Sequence, residues 1–240
     1  MFGLGTVINV AGVLLGGLLG ALLGKKLAAR FQNILSCAAG ICVIFIGAGG
    51  AFSEMLTVQS ETLSAGGSMM LIASVCIGAV LGELLNLEKR TEQFGSWLKA
   101  RTKSDKDAGF VEGFVTASLT ICIGAMAVIG PIRDGIYGDY SILLTKSILD
   151  AIIIMVLTAS YGKGCVFSAI PIFIFEGLIT VLAKIIQPLM TPTALSNLSF
   201  VGSVLIFCVG INLVFGKKIK VANLLPSVII AAAWAFLPLP

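Results

Sequence analysis

LGTVINVAGVLLGGLLGALLGKK, residues 4–26, decides the fold class. From Leu4 to Gly24 no residue is charged, and Lys25 and Lys26 close the run. About 20 apolar residues in a helix span the hydrocarbon of a bilayer. Gly12, Gly16, Gly20 and Gly24 recur at four-residue steps, so they share a face that lets another helix approach closely. Structurally the stripe predicts tight helix packing, or a homo-oligomer through this face. Functionally it would be bare backbone along a narrow pathway. Asn9 lies in the first turns of the same helix and needs a polar partner from another helix, because lipid offers none. The run does not read as a cleavable signal, since its cations follow the apolar stretch instead of preceding it.

The pattern recurs along the whole chain. Hydrophobic residues make up 58% and charged residues 12% of 240, and the mean hydropathy is +1.06. Soluble domains carry about 25% charge. The sequence predicts an all-α polytopic transmembrane bundle of about eight spans, near 4–24, 34–53, 68–87, 110–130, 141–161, 164–186, 197–216 and 222–237. The last is short and flanked by Pro226 and Pro238; without it there are seven. A single transmembrane domain, 1–240, then divides into a three-helix unit (1–87), a basic loop (88–109), a polar two-helix segment (110–163) and a second three-helix unit (164–240).

The basic residues orient this bundle. Lys25, Lys26 and Arg30 follow helix 1, six cations from Lys89 to Lys106 lie between helices 3 and 4, Lys163 separates helices 5 and 6, and Lys217, Lys218 and Lys220 follow helix 7. These alternate gaps hold thirteen of the 16 basic residues, whereas the opposite loops carry Glu54, Glu61, Asp134 and Asp139 with Arg133 alone. The positive-inside rule therefore predicts both termini outside. The net charge of +4 is too small and too confined to loops to suggest nucleic acid, and the bilayer is the expected partner. In the loop 88–109, Phe94, Trp97 and Leu98 alternate with charges at helical spacing, after Leu87. That pattern suits an interfacial cytoplasmic helix as well as a solvated connector.

Two segments recur. Leu35, Ser36, Gly47 and Phe52 match Leu198, Ser199, Gly210 and Phe215, each 163 apart, and Ser74, Val75, Ile77 and Ala79 match Ser227, Val228, Ile230 and Ala232, each 153 apart. The members of each pair are five helices apart in chain order, an odd offset, so the two three-helix units would be inverted, an arrangement common in secondary transporters.

Charges inside the helices carry the functional signal. Lys146 and Asp150, four apart, share a face of helix 5, and Glu176 falls in the middle of helix 6. Ionisable groups at bilayer depth face the bundle interior and mark pathways or sites; the alternative for the Lys146–Asp150 pair is a structural ion pair. Glu83 sits where an interfacial charge is expected. Helix 4 carries Thr116, Thr120 and Gly124 at four-residue steps, and Gly130-Pro131 is expected to break it. Asp134 and Asp139 lie beyond the break, Asp139 as an N-cap for helix 5. There is no histidine, and none of the six cysteines forms a CxxC pair. No metal or cofactor is expected, and proton coupling would have to use carboxylates.

Gly5-Thr6-Val7-Ile8-Asn9 with its glycine ladder, Gly124 to Gly130, the pairs Asp134-Gly135 and Gly138-Asp139, and Lys146-Ser147 with Asp150, then Ser168-Ala169, carry a resemblance covering nearly the whole chain. The sequence resembles the bacterial domain-of-unknown-function family 554, the YdfK/YqgA-like proteins. The resemblance implies an integral inner-membrane protein of the kind described as a transport protein, without an established substrate. It also implies that glutamine often stands where this chain has Glu176. The leading expectation is a small-solute or ion transporter with a midplane site between helices 1, 4, 5 and 6. Asn9, Thr116 and Thr120 would give neutral contacts, Asp150 and Glu176 would bind a cation or proton, and Lys146 would gate. Asp134 and Asp139 complete the candidate residues. One net negative charge slightly favours a small cation. A passive channel and a non-transporting scaffold or sensor subunit are the alternatives; an enzyme is not expected.

Overall fold

A computed structural model describes residues 3–24, 29–59, 62–104, 107–124 and 126–237. Lys25, Lys26, Glu61, Lys106 and Pro238 of the sequence reading lie outside them. The chain runs through helices α1 (Leu4–Gly24) and α2 (Ala29–Met55), a hairpin of β1 (Leu56–Gln59) and β2 (Thr62–Ala65), then α3 (Ser68–Leu85), α4 (Leu87–Arg101), α5 (Phe110–Cys122), α6 (Met126–Tyr137) and α7 (Ser141–Tyr161). After a 3-10 turn, Lys163–Ser168, come α8 (Ala169–Val181), the single turn α9 (Ala183–Ile186), α10 (Pro192–Phe215) and α11 (Pro226–Trp234).

Six helical stretches are long and apolar enough to cross a membrane, and α5 with α6, bent by 60°, would make a seventh. The shorter apolar stretch Val221–Trp234 stands where the eighth was expected. Their outward faces are apolar: Leu15, Leu18 and Leu22 on α1, Phe45 on α2 and Ile72 on α3 are all exposed. Apolar surface on this scale needs lipid around it. The central column is α5, nine of whose 13 residues are buried.

Glycines set the helix pairs. Cβ atoms added at Gly12, Gly16, Gly20 and Gly24 would fall within contact distance of Ser147, Ala151, Met155 and Ala159, so the ladder lies flat on the backbone of α7 and the two helices run parallel. This face is packed from within the chain. Gly47 meets Phe207 and Gly210 meets Ile44, packing α2 antiparallel to α10. Gly78 meets Ser227 and Gly82 meets Asn223, packing α3 antiparallel to the stretch leading into α11.

These directions bring the described basic segments to one end of the bundle. There Lys217 pairs with Glu88 at 2.8 Å and with Glu92, and Lys220 pairs with Glu83 at 2.7 Å. Asn223 ties Glu83 to the start of α4: its Nδ2 donates to Glu83 Oε2 at 2.6 Å, and its Oδ1 accepts from Glu88 N at 2.6 Å. The predicted amphipathic helix is α4, with Leu98 buried and Trp97 exposed. Arg133–Asp139 and the hairpin lie at the opposite end.

One boundary differs from the sequence reading. The break in helix 4 falls at Ile123-Gly124, and Pro131 sits inside α6. Gly124 takes φ 142°, which only glycine adopts readily, so the turn forms there. Pro131 removes one rung of the ladder within α6 without ending it.

Candidate functional site

Four polar side chains from three helices converge at the break. Four-residue spacing puts Lys146 and Asp150 on one face of α7, and they form an ion pair. Glu176 of α8 lies with Oε1 3.6 Å from Lys146 Nζ. Asn9 of α1 donates from Nδ2 to the same Oε1 at 2.8 Å. The glycine ladder makes this meeting possible, because it lowers α1 onto α7 until Ser147 Oγ donates to Ile8 O at 3.0 Å. Lys146 Nζ also donates to Ile121 O at 2.8 Å. In a continuous helix that carbonyl would bond the amide four residues on; α5 ends at Cys122, and the ammonium takes its place. A cation at a helix C-terminus also meets the negative end of the helix dipole.

The cluster is dry. The side chains of Lys146 and Asp150 are each 7% exposed and that of Glu176 is 0% exposed. By formal charge one cation faces two carboxylates. Burial of an unmatched charge costs several kcal/mol, on the order of the penalty for isolated ions in protein interiors, so the site demands one more positive charge. Asn9 Oδ1 and Glu176 Oε2 are buried and meet no donor among the described residues.

The other candidates fall elsewhere. Thr120 donates to Thr116 O at 2.8 Å, so its hydroxyl is spent on its own helix. Thr116 lines a cavity of ≈ 460 Å³ at the basic end, with Glu88, Glu92, Glu112, Asn212 and Lys217. Leu119 is its innermost lining residue on α5, and from there to Ile121 is about 3 Å along the helix, so this cavity stops about half a turn short of the cluster. A second cavity, of ≈ 720 Å³, lies at the same end beside Gly24, Thr158 and Lys163. Neither is lined by Lys146, Asp150 or Glu176.

Asp134 is buried at the opposite end, where its Oδ2 accepts from Gly5 N at 2.9 Å and caps α1; its Oδ1 meets no donor among the described residues. Asp139 accepts from the backbone and hydroxyl of Ser141, the first residue of α7, and pairs with Arg133 at 2.9 Å. The Ser141 bonds hold its carboxyl below the usual range. Burial pushes the Lys217 ammonium down, but hydrogen bonds to Glu88 and Glu92 outweigh it and raise the group above the ordinary lysine value.

Sequence reasoning missed Thr6 and Thr180, whose buried hydroxyls lie 3.2 Å apart. Each lies one turn from a cluster residue, Thr6 three before Asn9 and Thr180 four after Glu176, and that spacing was the available signal.

This bundle, with ionisable side chains buried between its spans, defines a polytopic membrane protein. The chain belongs to the family described as "Protein of unknown function (DUF554)", which it matches over residues 4–236. It is 30% identical over 226 residues to the "Uncharacterized membrane protein YdfK" of Bacillus subtilis (strain 168), covering 94% of this chain and 93% of that one. It is 29% identical over 239 residues to the "Uncharacterized protein YqgA" of Escherichia coli (strain K12), covering 96% and 97% respectively. No solved structure matches.

Proposed function

We propose that this chain is a small-solute or ion carrier of the bacterial inner membrane, with a small cation as its favoured solute and the Lys146–Asp150–Glu176–Asn9 cluster as its site. The carrying observation is that these groups, distant in sequence, meet at a broken helix with one uncompensated negative charge. Charges at hydrocarbon depth are costly and are kept for pathways and sites. From Ser141, Lys146 and Asp150 lie about 7.5 and 13.5 Å down α7, so Asp150 is close to the middle of a bilayer core of about 30 Å and Lys146 about a quarter of the way in. Broken helices in carriers present half-helix ends to their ions. Here the C-terminal end of α5 holds the Lys146 ammonium, which stands where a free cation would.

An inverted repeat is consistent with this reading. Helices α1 and α8, α2 and α10, and α3 and α11 are the candidate repeat mates. Each pair packs antiparallel, as a two-fold axis in the membrane plane requires: Thr6 meets Thr180 and Asn9 meets Glu176, and the glycine contacts of α2 and α3 run likewise. The basic end is cytoplasmic by the positive-inside rule, both termini are outside, and the ≈ 460 Å³ cavity opens inward.

In this scheme a solute cation competes with Lys146 for Asp150 and Glu176, and release of Ile121 O lets the α5–α6 break move. Purified protein on a solid-supported membrane, given jumps of sodium, potassium or methylammonium, should produce transient currents that saturate with concentration, and Asp150→Asn should abolish them. Silence toward all three, or currents indifferent to Asp150→Asn, would end the assignment.

A further inference from the structure

We propose that a proton route leads from the outer face to Glu176 through Asp134 and the Thr6–Thr180 pair, so that the proton is the coupling ion of the site. The inference rests on the carrier reading and adds the ion and its path.

The observations form a column. Glu176 and Asn9 are fully buried, Thr6 and Thr180 are each 3% exposed, and Asp134 is 1% exposed. Thr180 lies one turn outward from Glu176 and donates to its backbone carbonyl at 2.9 Å. Thr6 lies 3.2 Å from Thr180 and donates to it while the Thr180 proton is on the Glu176 carbonyl. Asp134 accepts from Gly5, the residue before Thr6, and a Cβ on Gly135 would touch Thr180 O at 2.5 Å. The carboxylates at the two ends each keep one oxygen without a donor among the described residues, Asp134 Oδ1 and Glu176 Oε2. A cap for α1 needs one oxygen of Asp134, and the bond to Asn9 needs one oxygen of Glu176. The residues that carry these spare oxygens flank the hydroxyl pair, Asp134 through its bond to Gly5 beside Thr6 and Glu176 one turn from Thr180, and hydroxyls both give and take protons.

Packing this tight favours a proton over a hydrated metal ion. A proton reaching Asp134 Oδ1 passes to the threonine pair through transient water. Each hydroxyl releases its own proton as it accepts the next, and the last crosses a second transient water to Glu176 Oε2, which bonds neither threonine. No bond to carbon changes, and the cluster moves from one net negative charge to none. The groups facing Glu176 are Lys146 and Asp150 from α7, Asn9 from α1 and Cys122 from α5. Neutralised Glu176 loosens its hold on Lys146. The inner cavity, ending at Thr116 and Leu119, is the exit once the Lys146–Ile121 bond opens.

The test uses the full chain in potassium-loaded liposomes containing the pH dye pyranine, with valinomycin setting the interior negative. The wild-type protein should acidify the lumen. Asp134→Asn keeps an oxygen for Gly5 N but cannot carry a proton as a carboxyl does; it and the double variant Thr6→Val/Thr180→Val should each slow acidification at least ~10-fold, the low end of what a positioned proton-transfer group contributes. Asp134→Glu and Thr6→Ser/Thr180→Ser should restore it. Melting curves of the purified variants show that they fold. Acidification unchanged by both Asp134→Asn and Thr6→Val/Thr180→Val overturns the route, as does a wild-type protein that moves no protons. Sodium- or methylammonium-evoked currents without acidification sink this route alone, whereas silence toward every cation also sinks the carrier.

Discussion

Lys146→Met removes the cluster's only cation among the described residues and leaves Asp150 and Glu176 facing each other in a buried site. In the native protein the ammonium pairs with Asp150, stands 3.6 Å from Glu176 Oε1 and caps Ile121 O at 2.8 Å. Methionine nearly matches the volume of the lysine stem, so packing survives and the loss is electrostatic. Removing one partner of a buried pair costs about 3–5 kcal/mol. For a chain of this length that lowers the melting temperature by roughly 6–20 °C. The Lys146→Met/Asp150→Asn double variant should recover most of this, because the second change removes a stranded charge. The assay is thermal unfolding in one detergent for the wild type, both single variants and the double. The reasoning is refuted if Lys146→Met melts with the wild type, or if the double variant is no more stable than the worse single.

Three further outcomes follow from the same structure. Glu176→Gln keeps an acceptor for Asn9 and removes the surplus charge, so it should melt at or above the wild type in the same assay. Gly16→Leu must part α1 from α7, since even a Cβ there would come within 2.8 Å of Ala151 Cα; overpacking costs about 1–3 kcal/mol, seen as a lower melting temperature. The raised value of Lys217 means that its pairing with Glu88 and Glu92 stabilises the fold fully below the ordinary lysine value, and that this contribution disappears as pH rises through the raised one. Lys217→Met should thus lower stability near neutral pH and flatten the alkaline limb of a melting-versus-pH profile, and a limb unchanged by the substitution would count against the pairing.

Much of the fold is legible in local pattern, because lipid imposes it. A span must be apolar for about 20 residues, so α1, α2, α3, α7 and α10 stand out from hydropathy alone. The alternation of Phe94, Trp97 and Leu98 with charges marks α4. The Lys146–Asp150 pair needs only helical spacing. What escapes the reading depends on contacts between distant residues. Asn9 and Glu176 are 167 residues apart, and no periodicity links them. Ile121 O becomes a ligand only because α5 stops where Gly124 turns, whereas the stronger breaker signal at Gly130-Pro131 lies inside α6. The hairpin Leu56–Ala65 passes for a loop because its ten residues are too few and too polar to separate from a turn. Thr116 and Thr120 share a face of α5 as the spacing predicts, but the spacing does not reveal that Thr120 bonds Thr116 O.

The most direct test separates holding the bundle together from moving a solute. The triple variant Lys146→Met/Asp150→Asn/Glu176→Gln contains no charge in the cluster and should fold, melting near the wild type. On a solid-supported membrane it should give no saturable current to the cation that drives the wild type. Wild-type currents from the folded triple variant would show the buried charges to be structural and contradict the account.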